Sequence, residues 1–198
     1  NPSYTYTLTG TYSVKLVVET GVGCKDSLTK SITVVPLPNI DAGADQVICD
    51  RDTVTLGGAP TSSTAGVTYL WDNALSLSNA TVSNPRAFPS ITTRYRLTVT
   101  ETATGCNDTT SAVILVNPVP VASFTASALC ENEITQFTDG SSIPSGTIVS
   151  WDWDFGDLLG TSTQQNPTYQ YAGPGTYQVK LVVESALGCK DSITSSIV

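Results

Sequence analysis

The chain has 198 residues, a formal net charge of −8 and no histidine. This acidity argues against a nucleic-acid surface, which needs a basic patch. Without histidine the chain lacks the Ser-His-Asp triad, the usual general base near neutral pH and most kinds of catalytic zinc site. We therefore expect a protein that is not an enzyme. Abundant Thr, Ser and Val, with Gly and Pro at short intervals, indicate an all-β fold.

The first segment of the chain recurs at its end. Residues 1–33 align with residues 166–198 at an offset of 165 without a gap, and 21 of these 33 positions are identical. The shared stretches include Gly-Thr-Tyr, Val-Lys-Leu-Val-Val-Glu and Gly-Cys-Lys-Asp-Ser. Chance does not give agreement of this extent, so we expect the chain to be a window on a tandem array.

Two proline pairs divide the chain into domains. Pro36-Leu-Pro38 and Pro118-Val-Pro120 lie 82 residues apart, and proline at such joints cannot extend a sheet ladder and stiffens the connection. We predict that residues 1–35 are the C-terminal part of one domain. Residues 36–118 are predicted to form a middle domain, and residues 119–198 a nearly complete third domain.

Both longer domains contain segments with the period-2 alternation of half-buried strands. In the middle domain these are residues 54–56, then Val67, Tyr69 and Trp71, then Tyr95, Leu97 and Val99, and finally residues 112–116. In the third domain the inward positions are Val149, Trp151, Trp153 and Phe155, followed by Tyr177, Val179, Leu181 and Val183. Strands of this kind, bounded by Gly and Pro, predict β-sandwiches.

The third domain also carries a family resemblance. Trp153-Asp-Phe-Gly-Asp157, followed by Asn166-Pro167, Tyr171 and Gly175-Thr-Tyr177, resembles the signature of the PKD domain. The resemblance implies an Ig-like sandwich of extracellular and cell-surface proteins, in tandem here. Its structural motif comprises Trp153, Asp154, Phe155, Gly156, Asp157, Gly175 and Tyr177.

The resemblance has one departure and one looser extension. The departure is Leu158, where the family usually has a second Gly. The first segment, residues 1–35, is a partial copy of the same domain. In the middle domain, Asn84-Pro85 and Thr92-Thr-Arg-Tyr95 resemble diverged Ig/PKD-like modules of large Bacteroidetes surface proteins.

Five cysteines fall at related places on the repeat. Their spacing and order predict the disulfides Cys49–Cys106 and Cys130–Cys189, and a partner for Cys24 upstream of residue 1. A loop of close to sixty residues would stabilise each sandwich by about 4 kcal/mol in the chain-entropy treatment. Such bridges imply an oxidising compartment. Buried free thiols are the alternative.

Three aspartates are candidates for a weak calcium site. Carboxylate oxygens are the ligands that Ca²⁺ prefers, and some PKD-like modules bind Ca²⁺ near domain junctions. The candidates are Asp139, Asp152 and Asp157. The alternative is that these carboxylates accept hydrogen bonds from local backbone amides in turns, and no other cofactor is expected.

Four Asp-Ser/Thr pairs resemble the O-glycosylation sequon of Bacteroidetes. The predicted sites are Ser27, Thr53, Thr109 and Ser192. Asp-Ser/Thr pairs beside strands are equally typical of turn chemistry. The tryptophans Trp71, Trp151 and Trp153 raise the option of carbohydrate stacking, but their phase on the strands favours a place in the core.

The whole chain resembles a segment of the long PKD-repeat adhesins of gliding Bacteroidetes. That resemblance implies a structural or adhesive array of disulfide-stapled spacers at the cell surface, exported by the type IX secretion system. The expected partners are neighbouring repeats of the same chain, and surface polysaccharide or other cell-surface proteins, without nucleic acid or a membrane span. Two alternatives stay open: accessory binding modules of a secreted hydrolase, and a self-assembling extracellular filament subunit.

Overall fold

The computed structural model describes residues 2–127 and 133–198. The regular secondary structure of the described residues is almost entirely β, with a single turn of 3-10 helix at Ala74–Ser76. The strands are β1 (Gly10–Glu19), β2 (Lys25–Val34), β3 (Gln46–Cys49), β4 (Val54–Thr55), β5 (Val67–Trp71), β6 (Arg86–Ala87), β7 (Thr93–Glu101), β8 (Asn107–Asn117), β9 (Phe124–Ala126), β10 (Thr135–Asp139), β11 (Ile148–Asp154), β12 (Thr161–Ser162), β13 (Thr168–Tyr169), β14 (Tyr177–Ser185) and β15 (Lys190–Ile197).

Strands β1 and β2 form an antiparallel hairpin that pairs with no other strand in the described part of the chain. The pairing runs from Gly10 opposite Val34 to Glu19 opposite Lys25. The residues of this hairpin are nearly all exposed, including the aliphatic side chains of Leu16 and Leu28. A two-stranded hairpin has no second layer against which to bury an apolar face.

The middle part of the chain folds around its own core. One sheet has the strand order β3-β8-β7-β5, and the other pairs β4 with β6. The strand alternation predicted from the sequence is confirmed, because the inward side chains of β5, β7 and β8 are buried together. The core consists of Ala42, Leu56, Trp71, Leu77, Ala87, Tyr95, Leu97, Val99, Ala112 and Ile114.

The last part of the chain, the third domain, is another sandwich with a separate core. Its two sheets have the strand orders β13-β10-β9 and β12-β11-β14-β15. Three of the predicted inward positions of β14, Val179, Leu181 and Val183, are fully buried, and Tyr177 is half-buried against the same core. The core consists of Ala122, Phe137, Trp153, Phe155, Tyr171, Val179, Leu181 and Val183.

The phase predicted for the start of β11 is wrong. Val149 is 56% exposed, and Ile148 packs against the core in its place. The pairing with β14 shifts register between Ile148 and Ser150. An extra residue at such a bulge turns the following side chains to the opposite face. Trp153 and Phe155, beyond the bulge, face inward as predicted.

Candidate functional site: the joint between the two sandwiches

A disulfide joins the two sandwiches. Cys49, at the end of β3, is bonded to Cys189, in the turn between β14 and β15, with 5.7 Å between the Cα atoms and 140 residues of sequence between them. Cys189 is fully buried, and its sulfur lies 3.9 Å from the carbonyl oxygen of Asn117. The bridge therefore lies where the last strand of the middle sandwich meets the third.

Local hydrogen bonds fix both cysteines in place. The amide of Cys49 donates to Oδ2 of Asp52 at 3.1 Å, and the amide of Asp52 donates to the carbonyl oxygen of Cys49 at 3.0 Å. The amide of Cys189 donates to the Ser185 hydroxyl at 3.1 Å, and the amide of Ser185 donates to the Cys189 carbonyl oxygen at 2.8 Å. Each sulfur is presented from a short closed turn.

The predicted pairing of Cys49 with Cys106 is wrong. Cys49 lies opposite Asn117, the last residue of β8, whereas Cys106 directly precedes the first residue of that strand. Eleven residues at about 3.4 Å each put the two ends roughly 34 Å apart. A disulfide needs Cα atoms within about 7 Å. Among residues 2–127 and 133–198, neither Cys24 nor Cys106 has a disulfide partner.

The predicted pairing of Cys130 with Cys189 is wrong as well, because Cys189 is already bonded to Cys49. Cys130 itself lies outside the described residues. Spacing and order along the repeat matched each early cysteine with the late cysteine of the same domain. They contain no information about which end of a strand faces the next domain.

The linker between the sandwiches is itself anchored. The amide of Val121 donates to the Ser142 carbonyl oxygen at 2.7 Å, and the amide of Ala122 donates to Oδ2 of Asp191 at 2.8 Å. An open cleft of about 320 Å³ borders the joint. It is lined by Asp50, Ser90, Ile91, Thr92, Val116, Pro118, Val119, Pro144 and Ser145.

The motif residues of the third domain build a tight turn over its core. Trp153 and Phe155 are buried, and the indole N–H of Trp153 donates to the Gln164 carbonyl oxygen at 2.9 Å. Gly156 has φ +78°, and a Cβ there would lie 2.5 Å from the backbone of Gln178. The turn therefore requires glycine at this position.

Two aspartates hold this turn closed. The Asp154 carboxylate accepts from the Gly156 amide at 2.9 Å. The Asp157 carboxylate accepts from the Gly160 amide at 2.8 Å and from the Tyr169 hydroxyl at 2.5 Å. The hydrogen bonds from the Tyr169 hydroxyl and the Gly160 amide lower the pKa of Asp157, and the hydrogen bond to Asp157 raises the pKa of Tyr169 to about 12. The carboxylate acts as an acceptor within the fold.

Gly175 and Tyr177 complete the motif. The Tyr177 hydroxyl donates to the Gly173 carbonyl oxygen at 2.7 Å. The Tyr177 ring stacks on Tyr171 with 3.9 Å between ring centroids. Gly175 lies beneath the Tyr177 ring, where a Cβ would be 3.4 Å from it. These contacts fasten the start of β14 to the loop before it.

The three calcium candidates do not form one cluster. Burial of the Asp139 carboxyl opposes its ionisation, but hydrogen bonds from Ser141, Gln165 and Trp151 outweigh it and lower the pKa of Asp139. Asp157 is occupied by the turn described above, and Asp152 is exposed on β11. Within the described residues, no three acidic, Cys or His side chains lie close enough to hold a metal ion. The turn interpretation therefore fits Asp139 and Asp157, and calcium binding stays a prediction.

The four predicted glycosylation sites all lie on the surface, at Ser27, Thr53, Thr109 and Ser192. Ser27 lies in β2 and Thr109 in β8, and the amide of each donates to the carboxylate of the preceding aspartate at 2.7 Å. The Thr53 hydroxyl accepts from Arg86 at 2.5 Å. Glycosylation stays a prediction.

The tryptophans belong to the fold. Trp71 and Trp153 are buried, and the indole N–H of each donates to a backbone carbonyl oxygen eleven residues further on. Trp151 is half-buried and donates to Asp139 Oδ2 at 2.8 Å. The matching bonds of Trp71 and Trp153 show that the middle sandwich is built on the same local plan as the third.

Comparison with known proteins identifies one part of the chain. A family model described as "PKD domain" matches residues 115–198. Residues 115–198 form a PKD domain. This PKD domain contains the 153–157 turn and the β14–β15 hairpin that bears Cys189.

Two curated relatives are bacterial proteases. A microbial collagenase of Vibrio alginolyticus is 39% identical over 87 residues, which is 43% of this chain and 11% of the collagenase. The pre-pro-metalloprotease PrtV of Vibrio cholerae is 37% identical over 87 residues, which is 44% of this chain and 9% of PrtV. The chain thus spans only about a tenth of these relatives. The more specific resemblance to gliding adhesins stays a prediction.

Two solved structures are similar to this chain over different shares of its length. The PKD1 domain of Vibrio cholerae PrtV is 35% identical, with 40% of this chain and 94% of that domain covered at a TM-score of 0.37. The N-terminal eight Ig domains of the Down syndrome cell adhesion molecule align with 96% of this chain. The alignment covers 31% of that eight-domain chain. The identity there is 13% and the TM-score 0.53, so this likeness concerns the fold alone. No helix in residues 2–127 or 133–198 is long and apolar enough to cross a membrane.

Proposed function

We propose that this chain is a non-catalytic, extracellular spacer that holds a neighbouring domain of its parent protein at a fixed distance and orientation. One observation carries this function, the disulfide between Cys49 and Cys189. The two sandwiches already have separate cores, so the bond is not needed to complete either one. Its specific effect is to fix one sandwich against the other, and disulfides persist in oxidising compartments.

The proposed parent is a secreted hydrolase in which this segment is an accessory module. Support comes from the relatives, a microbial collagenase and a metalloprotease that match the PKD region. The described residues contain turn-anchored aspartates instead of a cluster of groups poised for chemistry. The partners we propose are adjacent domains of the same chain and an extracellular polymer or cell-surface protein that the parent engages.

A second candidate is a repeat segment of a long surface adhesin or filament. It is favoured by the β1–β2 hairpin, which reproduces the β14–β15 hairpin in detail. Lys25 pairs with Glu19 at 3.4 Å as Lys190 pairs with Glu184 at 3.3 Å. The Tyr12 hydroxyl donates to the residue four positions earlier, as Tyr177 does. Such duplication is typical of a tandem array.

In that array the exposed face of the hairpin is covered by the rest of its own domain. Leu16 is 59% exposed, whereas its repeat counterpart Leu181 is fully buried. Val14 and Val18 differ in the same way from Val179 and Val183. The aliphatic sequence is thus the same in both hairpins, and only the covering sheet differs.

Co-sedimentation separates the two candidates. The oxidised chain is incubated with insoluble collagen and, separately, with an insoluble polysaccharide. Saturable binding of the chain supports the accessory module, and the Cys49→Ser variant then tells whether binding needs the joint. Absence of binding to both polymers contradicts the accessory module of a secreted hydrolase and favours the second candidate, a repeat segment of a long surface adhesin or filament.

A further inference from the structure

Each sandwich has a cysteine at the end that faces the preceding domain. Cys189 lies in the β14–β15 turn and Cys106 in the β7–β8 turn. The two turns close in the same way, because the amide of Ser185 donates to the Cys189 carbonyl oxygen at 2.8 Å and the amide of Glu101 donates to the Cys106 carbonyl oxygen at 2.9 Å. A glycine with positive φ precedes each cysteine. Cys106 is therefore the structural counterpart of Cys189.

Hydrogen bonds place the Cys106 turn at the entry end of the middle sandwich. The amide of Asn39, which directly follows Pro38, donates to the Thr64 hydroxyl at 3.1 Å. The amide of Thr102, in the β7–β8 turn, donates to the Gly66 carbonyl oxygen at 2.9 Å. The first residues of the sandwich, the 64–66 loop and the Cys106 turn thus share one end.

The third domain has the same arrangement, and there the cysteine is bonded. The amide of Ala186, in the β14–β15 turn, donates to the Thr147 carbonyl oxygen at 3.0 Å, just as Thr102 does to Gly66. The amide of Ala122, near the start of the domain, donates to Asp191. Cys189 crosses this joint to Cys49, at the exit end of the preceding sandwich. Cys106 is half-exposed at the corresponding place and unbonded.

The β1–β2 hairpin has a third copy of this turn. The amide of Cys24 donates to the Thr20 hydroxyl at 3.2 Å, as that of Cys189 donates to Ser185 at 3.1 Å. The register around both turns is the same. Cys24 is exposed and unbonded. Because Cys24 lies 165 positions before Cys189, its counterpart partner is the residue one repeat upstream of Cys49.

We propose that every joint of the array has one interdomain disulfide, formed by the turn cysteine of one domain and the early cysteine of the domain before it. Cys106 is the turn cysteine of the joint that contains Pro36 and Pro38, and Cys24 is that of the joint before. This inference rests on the proposed array. Each bridge forms when two thiols lose two protons and two electrons to a disulfide-bearing oxidant, which is reduced to two thiols.

The repeat supplies its own test protein. Asn1 corresponds to Asn166. A copy of residues 34–165 placed before Asn1 therefore continues the tandem repeat in the N-terminal direction. The added copy provides a middle sandwich with its own Cys49, and the strands that would cover the β1–β2 hairpin. The extended chain and the 198-residue chain are refolded in parallel with oxidised and reduced glutathione, alkylated and mapped without reduction.

In the 198-residue chain we expect Cys24 and Cys106 to be fully alkylated. In the extended chain both become protected, Cys24 is linked to the added copy of Cys49, and Cys106 is linked to the early cysteine of the completed first domain. The original Cys49–Cys189 link is expected in both chains. Links within a single sandwich, or full alkylation of Cys24 and Cys106 in the extended chain, overturn the proposal.

Two further measurements separate this inference from the array itself. Hydrogen exchange of the β1–β2 hairpin reports whether the added strands cover it. A protected hairpin with alkylated Cys24 means that the array is right and the bridge rule wrong, while an unprotected hairpin contradicts the array. In the extended chain with Cys24→Ser, we expect the added copy of Cys49 to become alkylated and the other links to stay.

Discussion

At the scale of single residues, the PKD turn combines strong constraints with one apparent misfit. Gly156 has no room for a Cβ, and Asp157 binds two amides and a tyrosine hydroxyl. The next residue, Leu158, adopts φ +72°, and 98% of it is exposed. Leucine at positive φ is strained, and no burial of its side chain offsets the strain here.

Leu158→Gly is expected to stabilise the PKD domain. Removing the Cβ relieves a backbone cost of about 1 kcal/mol, partly offset by the greater freedom of glycine in the unfolded chain. Calorimetry should show the melting temperature of this domain rising by a few degrees. Leu159→Gly is the matched control, because Leu159 is also exposed but does not have a positive φ. An equal rise in both variants contradicts the strain argument.

Acid should destabilise the PKD domain through Asp157 and Asp139. In both, hydrogen bonds lower the carboxyl pKa below its ordinary 3.8. A carboxyl with a lower pKa in the folded state stabilises the fold at pH above its unfolded pKa. That stabilisation is lost as the pH falls through the folded pKa. We expect urea midpoints to fall steeply below about pH 4.

The variant Asp157→Asn tests this assignment. It should lower stability at neutral pH and show a smaller further loss on acidification than the parent chain. Asp152→Asn changes an exposed carboxylate on β11, the strand before this turn, and should retain the parent's dependence of stability on pH. Identical acid profiles for Asp157→Asn and the parent would mean that other carboxyls govern the acid response.

At the scale of elements, the two hairpins are one sequence pattern in two environments. β1–β2 and β14–β15 share register, turn hydrogen bonds and ion pair. Only the second packs against a covering sheet, which bears Phe137. Side-chain burial is what makes a hairpin persist, because two strands alone are marginally stable in water.

Hydrogen exchange should therefore differ sharply between these hairpins in the isolated chain. Amides of β14–β15 exchange through opening of a packed domain, whereas those of β1–β2 need only local opening. We expect exchange in β1–β2 to be at least about 100-fold faster. Mass spectrometry of peptides from the two hairpins provides an internal comparison at the same pH. Comparable protection would mean that something covers the first hairpin in solution, such as a second copy of the chain.

At the scale of the whole molecule, the described residues form two independent cores connected by a short linker and by the Cys49–Cys189 disulfide. No core residue is shared between the two clusters. The linker is held by Val121–Ser142 and Ala122–Asp191. Domains that share no core are expected to move relative to each other unless another contact constrains them. The Cys49–Cys189 bond supplies that constraint.

Cys49→Ser should loosen the pair while leaving each sandwich folded. Small-angle scattering should show a broader distribution of distances in this variant than in the oxidised parent. The circular dichroism of the strands should be unchanged, because both cores are intact. Cys106→Ser is the matched control and should scatter like the parent, since Cys106 is unbonded. Equal distributions for all three proteins would show that the linker contacts alone fix the orientation.

The sequence predicted the parts of this fold that depend on local periodicity. The strands bearing Trp71, Leu97, Trp153 and Leu181 were evident because burial on one face imposes a period of two. The bulge that turned Val149 outward has no such signature, because no residue type in the sequence marks where a strand takes up one extra residue. The parallel pairing of β3 with β8 was likewise invisible.

The disulfide was the main failure of sequence reasoning. Cys49 and Cys106 belong to the same sandwich, and domain membership made them natural partners. What decides pairing is the end of the sandwich on which each sulfur lies, and that depends on strand direction and on the neighbouring domain. For the aspartates, the sequence could not show that neighbouring donors already bind two of the carboxylates, Asp139 and Asp157.

The position of the bridge also determines how the chain would carry tension. A pull applied along the chain enters at Cys49 and leaves at Cys189 through the sulfur–sulfur bond, so the 140-residue segment that it closes is bypassed. At about 3.4 Å per residue, roughly 480 Å of extended chain is kept out of the force path. Both cores lie largely in that bypassed segment. We expect the oxidised pair to act as a short inextensible link under load, whereas in the reduced pair both sandwiches can unfold and extend when pulled.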